Sequence, residues 1–223
     1  MSRAVLFVNG SIPDLESARR LLRADDMLIG VDGGTRHALA LGLVPSVVIG
    51  DMDSIPGEEL QRLDPVLTRI IRFPHDKDET DLELALHHAL EAGVDEVVLM
   101  GAFGGRLDQT VANLALLTDP ALLKEHGDDG AGVDIRCEDG LENAFFTREQ
   151  CRVEGDPGDI ISLIPWGVKA VGVTTNGLRW PLKDETLFPS NTRGISNELV
   201  AASATIQIRS GLLLVIQRRQ GSK

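Results

Sequence analysis

Two short acidic segments contain the residues best suited to chemistry. Gly50-Asp51-Met52-Asp53-Ser54 directly follows the apolar run Ser46-Val47-Val48-Ile49, which places two carboxylates at the exit of a buried strand. Asp76-Lys77-Asp78-Glu79-Thr80-Asp81 likewise follows the strand-like segment 68–73 and opens a helix-like one. Open α/β sheets bind ligands at this edge, and neighbouring carboxylates can hold a hard cation that retains substrate phosphates. An isolated Gly-Asp-x-Asp is more typical of a polar turn, but two acidic segments at strand ends lead us to expect a metal–phosphate site here.

Two glycine-rich segments follow other predicted strands. Asp32-Gly33-Gly34 lies between strand 27–31 and a helix, so its glycines let phosphates or a ribose approach backbone N–H groups. A tight strand-to-helix turn is the alternative interpretation. Gly104-Gly105-Arg106-Leu107-Asp108-Gln109 repeats the arrangement after a strand that ends near Gly101. The guanidinium group of Arg106 is suited to clamp a phosphate, and Asp108 to hold that arginine or a metal-bound water.

These segments require a scaffold in which strands alternate with helices. Apolar, strand-like segments occur at 4–8, 27–31, 46–49, 68–73 and 96–100. Helix-like segments lie between and after them, at 14–23, 33–42, 57–63, 81–92 and 107–117. The alternation predicts an α/β domain with a mainly parallel sheet wrapped by helices. In helix 81–92 the apolar residues recur at the spacing of one face: Leu82, Ala85, Leu86 and Ala89.

The pattern changes after a polar, glycine-rich stretch at 118–134, which we interpret as a linker or crossing loop. From Ile135 onward, Gly, Pro and Asn separate short apolar or alternating runs at 144–147, 160–164, 170–174, 204–209 and 212–217. Such runs are typical of an antiparallel β-sandwich or barrel. The sequence thus predicts two domains, residues 1–134 of α/β type and residues 135–223 of all-β type.

The composition disfavours several classes of protein. The 223 residues carry a formal charge of −12, whereas nucleic acids and anionic membranes are bound by basic surfaces, so we expect neither as a partner. No apolar run reaches membrane-spanning length and the N-terminus lacks the features of a signal peptide, so we expect a cytoplasmic protein. Cys137 and Cys151 lack metal-ligand spacing and are expected to be free thiols in or near a core.

Taken in order, the motifs resemble those of one family, the thiamine pyrophosphokinases. The set comprises the four segments above, followed by Asn176-Gly177-Leu178-Arg179-Trp180-Pro181-Leu182 and Ser196-Asn197-Glu198. The resemblance implies a Rossmann-like catalytic domain that binds ATP and Mg²⁺ at 1–134 and a β-sandwich that binds thiamine at 135–223. It also implies a homodimer whose active site lies between subunits. The implied reaction transfers the pyrophosphoryl group of ATP to the hydroxyl group of thiamine and releases AMP.

Such a transfer builds charge on phosphate oxygens, so the protein must supply Mg²⁺ and cationic donors. The candidate metal ligands are Asp51, Asp53 and Asp81. The same three residues form the candidate catalytic set with Arg106. The candidate nucleotide contacts are Asp32, Gly33, Gly34, Arg106, Asp108 and Gln109. The resemblance adds thiamine contacts at Lys77, Thr80, Asp81, Ser196 and Asn197. Among all of these, Asp81 is the residue that we expect to orient or deprotonate the attacking hydroxyl group.

Some positions depart from the family pattern. Gln109 stands where many members have His, so a hydrogen-bonding role carries over but proton transfer does not. The run 212–217 has no aromatic residue to stack on thiamine. Trp166 and Trp180 are alternatives, although we expect both to lie in the core. His75 is not chosen as a metal ligand.

Other functions stay open at this point. The acidic segments explain phosphate chemistry better than they explain thiamine, so a metal-dependent phosphohydrolase or a pyrophosphokinase for another alcohol fits them too. A non-catalytic thiamine or nucleotide sensor on the same fold is a further alternative.

Overall fold

The chain forms two compact units in a computed structural model that describes residues 2–63, 65–119 and 132–220. The units comprise Met1–Gly140 and Leu141–Lys223. The linker predicted at 118–134 lies mostly outside the described residues. The domain boundary predicted after residue 134 stays a prediction; the strand that begins at Asp134 pairs within the first unit.

The first unit is a parallel sheet with helices between its strands. The strands are β1 Arg3–Phe7, β2 Met27–Val31, β3 Val47–Gly50, β4 Arg69–Arg72, β5 Glu96–Met100 and β6 Asp134–Glu138. The helices are α1 Leu15–Arg20, α2 Thr35–Ala40, α3 Gly57–Leu60, α4 Asp81–Glu91 and α5 Leu107–Leu116, and a 3₁₀ turn, Asp32–Gly34, precedes α2. The strand order is β6-β5-β1-β2-β3-β4, with parallel pairing between neighbours. The predicted sheet with helices is confirmed, whereas β6 has no counterpart in the sequence prediction.

A capped amphipathic helix places the second acidic segment beside this sheet. α4 begins after Thr80, whose Oγ1 accepts a hydrogen bond from the backbone N–H of Glu83 at 3.2 Å. The buried face of α4 is the predicted one: Leu82, Ala85, Leu86 and Ala89. Because the cap fixes the start of the helix, its first residue, Asp81, lies next to Gly50 at the end of β3.

Ion pairs tie together the amino ends of the strands at the opposite edge. Nη2 of Arg3 lies 2.7 Å from Oδ2 of Asp26, and Nη1 of Arg23 lies 2.7 Å from Oε2 of Glu96. Glu96 also pairs with Arg3 and with Arg136 of β6. The side chains of Arg3, Asp26 and Glu96 are buried. Each buried charge therefore has a partner, and the network links β1 to β5 and β6.

The described part of the second unit contains two antiparallel sheets. The strands are β7 Glu142–Thr147, β8 Gln150–Glu154, β9 Ile160–Pro165, β10 Ala170–Asn176, β11 Glu185–Leu187, β12 Asn197–Glu198, β13 Ser203–Gln207 and β14 Leu213–Arg218. One sheet has the order β12-β9-β14-β7 and the other β11-β10-β13-β8. Side chains of both sheets share one core, among them Ile161, Leu163, Val173, Ile206 and Val215. A β-rich second half is confirmed, whereas β8, β11 and β12 have no counterpart in the sequence prediction.

The cysteines are free thiols, as the sequence predicts. Cys137 is buried and Cys151 is partly buried. Burial raises the pKa of Cys151 to about 12 and raises that of Cys137 as well, so both thiols stay protonated near neutral pH. Within the described ranges, no helix is both long enough and apolar enough to cross a membrane.

Candidate active site

Three carboxylates converge at the carboxyl edge of the parallel sheet. Asp32 follows β2, Asp51 follows β3 and Asp81 begins α4, and one oxygen of each lies within 4.8 Å of the others. Gly50 makes this approach possible, because a Cβ atom there would lie 2.8 Å from Cβ of Asp32 and 3.3 Å from Cγ of Asp81. Of the predicted ligands, Asp51 and Asp81 are therefore brought together. We call Asp32, Asp51 and Asp81 the acidic cluster.

Asp32 is a member of the acidic cluster whose surroundings indicate a ligand-binding role. It is only 8% exposed and adopts a φ of +42°, in the region that Asn and Asp tolerate best after glycine. Among the described residues, its buried Oδ1 has no hydrogen-bond partner. Because a buried polar atom without a partner is costly, such an atom indicates a ligand that satisfies it. The sequence pattern predicts a nucleotide contact for Asp32 and does not group it with the acidic residues.

Hydrogen bonds and burial give the acidic cluster two different kinds of carboxylate. Oδ1 of Asp51 accepts a hydrogen bond from the backbone N–H of Asp53 at 3.0 Å, and this bond lowers the pKa of Asp51. Burial raises the pKa of Asp81, and the charges of Asp32 and Asp51 add to the effect, against the opposing influence of Lys77. Nζ of Lys77 lies 3.0 Å from Oδ1 of Asp81. Asp51 thus stays ionised more readily than Asp81.

Asp53 lies outside this cluster in a second, more exposed group. Oxygen atoms of Asp51 and Asp53 and a ring nitrogen of His75 lie within 4.8 Å of one another. Nε2 of His75 is 3.7 Å from Oδ2 of Asp53, and Oγ of Ser54 donates a hydrogen bond to Oδ1 of Asp53 at 2.9 Å. His75 is set aside in the sequence analysis, yet the turn after β4 brings it beside a predicted ligand.

Gly33 and Gly34 have a packing role in the structure. A Cβ atom at Gly34 would lie 2.1 Å from the carbonyl oxygen of Phe7, and one at Gly33 would lie 2.7 Å from Nδ2 of Asn9. At Gly34 a side chain would therefore collide with the backbone at the end of β1, whereas at Gly33 it would press on the flexible side chain of Asn9. The tight strand-to-helix turn, which is the alternative interpretation of this segment, is present. The predicted contact of these glycines with a nucleotide stays a prediction.

The loops after β1 and β5 continue to pair beyond the strands. The backbone N–H of Gly10 donates to the carbonyl of Gly101 at 2.8 Å, and that of Ser11 donates to the carbonyl of Phe103 at 2.7 Å. Nε2 of His37 lies 3.0 Å from the carbonyl oxygen of Gly10 and must donate, because a carbonyl only accepts. Neither His37 nor this loop is among the residues predicted from the sequence. The Asn9-Gly10 pair directly after an apolar run was the available signal.

Arg106 and Asp108 form a bidentate ion pair at the start of α5. Nε of Arg106 donates to Oδ1 of Asp108 at 3.1 Å, and Nη2 donates to Oδ2 at 2.6 Å. Hydrogen bonding from Arg106 lowers the pKa of Asp108, and the backbone N–H of Gln109 also donates to Oδ1 at 3.0 Å. Arg106 is 73% exposed. No hydrogen bond or ion pair joins these residues to the acidic cluster within the part of the chain that the structure describes.

Thr80 belongs to the rim of a cavity in the first unit as well as to the cap of α4. The cavity has a volume of about 530 Å³ and is lined by residues that include Glu83, Asn113 and Leu116. Asn113 is buried and donates from Nδ2 to the carbonyl of Ala102 at 2.9 Å. The lining of this cavity does not include Asp81, and the predicted contact of Thr80 with thiamine stays a prediction.

The predicted thiamine contacts of the second unit line a cavity of about 350 Å³. Ser196 and Asn197 form part of its wall together with Trp180. Trp180 is 51% exposed, so the expectation that it lies in the core is wrong. The ring of Trp166 contacts that of Phe146 edge to face, with centroids 5.3 Å apart. Trp180 therefore offers an aromatic surface beside the predicted residues.

Comparison with known proteins gives the same result for both units. The family profile "Thiamin pyrophosphokinase, catalytic domain" matches residues 18–126, and "Thiamin pyrophosphokinase, vitamin B1 binding domain" matches residues 150–213. Thiamine pyrophosphokinase of Bacillus subtilis is 31% identical over 191 residues, which are 85% of this chain and 86% of that protein.

Solved structures agree with these matches. The crystal structure of the Bacillus subtilis thiamine pyrophosphokinase superposes with a TM-score of 0.84 at 28% identity, covering 99% of this chain and 100% of that one. That of the Geobacillus thermodenitrificans protein superposes with a TM-score of 0.80 at 30% identity, covering 100% and 99%. Fold and site thus define an α/β enzyme of the kinase class. The chain belongs to the thiamine pyrophosphokinase family.

Proposed function

We propose that this chain transfers the pyrophosphoryl group of ATP to the hydroxyl group of thiamine, giving thiamine diphosphate and AMP, and that the acidic cluster is its metal–phosphate centre. The observation that carries the proposal is the convergence of Asp32, Asp51 and Asp81 around a buried carboxylate oxygen that has no partner among the described residues. We interpret the first unit as a Rossmann-like sheet, since the strand order reverses at β1. We interpret the two sheets of the second unit as a β-sandwich.

The donor set of the acidic cluster fits Mg²⁺. Carboxylate oxygens are the ligands that this hard cation takes, usually together with substrate phosphates and water. Asp32, Asp51 and Asp81 would hold it, and Asp53 would support it from the neighbouring group with Asp51. Bound Mg²⁺ supplies neutralisation and alignment of the phosphate oxygens.

Two residues of this edge have complementary roles in the proposal. The lowered pKa of Asp51 keeps its carboxylate charged and available to the metal. Burial raises the pKa of Asp81, and a raised pKa suits a carboxylate that accepts a hydrogen bond or a proton from the attacking hydroxyl group. The guanidinium group of Arg106 would contribute a planar pair of donors to phosphate oxygens. Gly33, Gly34, Asp108 and Gln109 are kept as proposed nucleotide contacts.

We propose that thiamine is bound with the help of the second unit. Thiamine carries a cationic ring, for which the exposed face of Trp180 is a suitable surface. Cζ of Arg179 already lies 5.1 Å from the centroid of that ring, so the ligand would use the other face. Ser196 is exposed and offers its hydroxyl group, while Lys77 and Thr80 are kept as contacts from the first unit.

We propose in addition that the enzyme is a homodimer with a site shared between two subunits. Light scattering after size exclusion measures the mass directly. Mixing refolded Asp51→Asn and Ser196→Ala chains gives a functional test. If the site is shared, half of the dimers formed by random mixing contain one chain of each variant. Each of these mixed dimers has one site that carries both substitutions and one that carries neither. We therefore expect recovery of roughly a quarter of wild-type activity. A monomer, or a mixture without recovery, would contradict this part of the proposal.

The reaction is tested by incubating the purified chain with ATP, Mg²⁺ and thiamine and separating the products by chromatography and mass. We expect thiamine diphosphate and AMP together, and neither after EDTA is added. Asp51→Asn should remove turnover, and Asp76→Asn is the matched control, because Asp76 is an exposed acid of the second acidic segment outside the acidic cluster. Release of ADP or phosphate without thiamine would indicate a phosphohydrolase. Thiamine binding without turnover would indicate a sensor.

A further inference from the structure

Among the described residues, Lys77 places its ammonium group in contact with the acidic cluster. Its Nζ lies 3.0 Å from Oδ1 of Asp81 and donates a hydrogen bond to the carbonyl oxygen of Pro74 at 3.1 Å. The side chain of Lys77 is only 12% exposed, and that of Asp81 is 21% exposed. This ion pair is therefore far less screened by water than an ordinary surface pair.

The ammonium group neutralises only one side of the cluster. It contacts Asp81, while the buried Oδ1 of Asp32 keeps no partner among the described residues. Oxygens of Asp32 and Asp51 lie within 4.8 Å of one from Asp81, so a cation held by all three carboxylates would lie close to the present position of Nζ. An ammonium ion and a divalent cation at such a separation repel each other strongly in a partly buried site.

We propose that Lys77 is a built-in counter-ion that competes with the divalent cation for Asp81, so that metal binding displaces its ammonium group from that carboxylate. The inference rests on the proposed metal–phosphate centre. It concerns a residue that controls how tightly that centre binds the metal. Pro74 supplies a second acceptor, which keeps the displaced ammonium group at the rim of the site. The consequence is a weaker affinity for the metal than three carboxylates alone would give, and a metal-free state in which Lys77 compensates part of the negative charge of the cluster.

The test is calorimetric titration of the metal-free full-length chain with Mg²⁺, repeated with Mn²⁺. We expect Lys77→Met to bind either ion about tenfold more tightly than the wild type, because the competitor for a partly buried carboxylate is gone. Lys77→Arg, which keeps the charge, should bind no more tightly than the wild type. The matched control is Arg72→Met, since Arg72 is exposed and in register with Gly50 on the same edge. Arg72→Met removes a positive charge that does not contact Asp81, so it should change the affinity for the metal ion less than twofold.

Thermal unfolding supplies a second readout that does not depend on activity. Metal-free Lys77→Met should unfold at a lower temperature than the wild type, and saturating Mg²⁺ should remove most of the difference, because the ion replaces the missing charge. Should Lys77→Met not fold, Lys77→Gln is measured in the same way.

The outcomes separate the inference from the function on which it rests. A wild-type chain that binds neither ion would overturn the proposed metal–phosphate centre. A wild type that binds the metal while Lys77→Met and Lys77→Gln bind it equally or more weakly would overturn the competition alone. Equal tightening by Lys77→Met and Arg72→Met would do the same, since it would show a general charge effect.

Discussion

Asn197 holds the backbone of Trp180 with both polar groups of its carboxamide. Its Oδ1 accepts a hydrogen bond from the N–H of Trp180 at 3.1 Å, and its Nδ2 donates to the carbonyl oxygen of Trp180 at 2.7 Å. Oδ1 also accepts from the N–H of Glu198 at 2.9 Å, and Asn197 is 6% exposed. Most of the hydrogen-bonding capacity of Asn197 is therefore used inside the protein. It positions the aromatic ring beside the cavity, while Ser196 is free to face a ligand.

Replacing Asn197 by Ala should loosen Trp180. Three partly buried backbone groups, the N–H and carbonyl of Trp180 and the N–H of Glu198, lose their partner, so we expect a loss of about 1–3 kcal/mol in the free energy of unfolding. The KM for thiamine should rise by roughly tenfold with little change in the KM for ATP, because the proposed aromatic surface is no longer fixed. Steady-state kinetics and urea unfolding measure the two effects. Asn191→Ala, an exposed asparagine of the same unit, is the control, and equal effects of both variants would contradict the positioning role.

Replacing Asp32 by Asn tests the acidic cluster without disturbing its shape. Asn also tolerates the φ of +42° at this position, so backbone strain is not added. The metal-free protein should be more stable by about 1 kcal/mol, since one of three close carboxylates loses its charge. Turnover should fall by a hundredfold or more, because a fixed charge that holds the metal is removed. Chemical unfolding of the metal-free protein measures the gain in stability, and product formation in the presence of Mg²⁺ measures the loss of turnover. Wild-type turnover in Asp32→Asn would exclude Asp32 from the centre.

The exposed ion pair at α5 predicts a change in catalysis without a change in stability. Arg106→Lys keeps the charge and loses the planar fork, so kcat/KM for ATP should fall by about 10- to 100-fold. The unfolding temperature should stay unchanged, because an ion pair this exposed contributes little to folding. Arg152→Lys is the control, since Arg152 pairs with Glu154 at 3.3 Å on an equally exposed surface. A loss of stability without a loss of activity would assign Arg106 a structural role instead.

The acidic edge was predictable because the position of a residue after a strand is local information. Asp51 follows an apolar run and Asp81 opens an amphipathic pattern, and parallel strands end at a common edge. Which strand ends become neighbours is not local information. Asp32 joins the acidic cluster because β2 pairs with β3, with Gly30 opposite Val48. This pairing depends on contacts between residues that are distant in sequence. From the sequence, Asp32 was therefore predicted as a nucleotide contact because of the adjacent Gly33 and Gly34.

β6 and Trp180 were missed for different physical reasons. β6, Asp134–Glu138, has no apolar run to indicate a strand, because charged residues alternate with Ile135 and Cys137. Its Arg136 is neutralised by Glu96 of the neighbouring strand, a contact that no sequence pattern shows. Trp180 was expected inside because large aromatic residues usually are buried. In the structure Asn197 holds the backbone of Trp180, while the side chain of Trp180 is half exposed and lines a cavity.

The hydrogen bond from His37 to Gly10 predicts a pH dependence of stability. Burial lowers the pKa of His37 below its ordinary value of 6.5, and it outweighs the hydrogen bond to Gly10, which favours the charged form. The folded chain therefore binds a proton at His37 more weakly than the unfolded chain does. As the pH falls from 6.5 through the lowered pKa, the unfolded state takes up more protons, so the folded state loses stability over this window.

His37→Gln keeps a donor for the Gly10 carbonyl and removes the titration. We expect the stability of the wild type relative to this variant to be greatest above pH 6.5 and to decline below it. Urea unfolding at a series of pH values measures the difference. His87→Gln, which replaces an exposed histidine of α4, is measured alongside as the control for the substitution itself. A wild type that gained stability relative to His37→Gln as the solution became more acidic would show that the folded state favours the charged ring, and would contradict the burial argument.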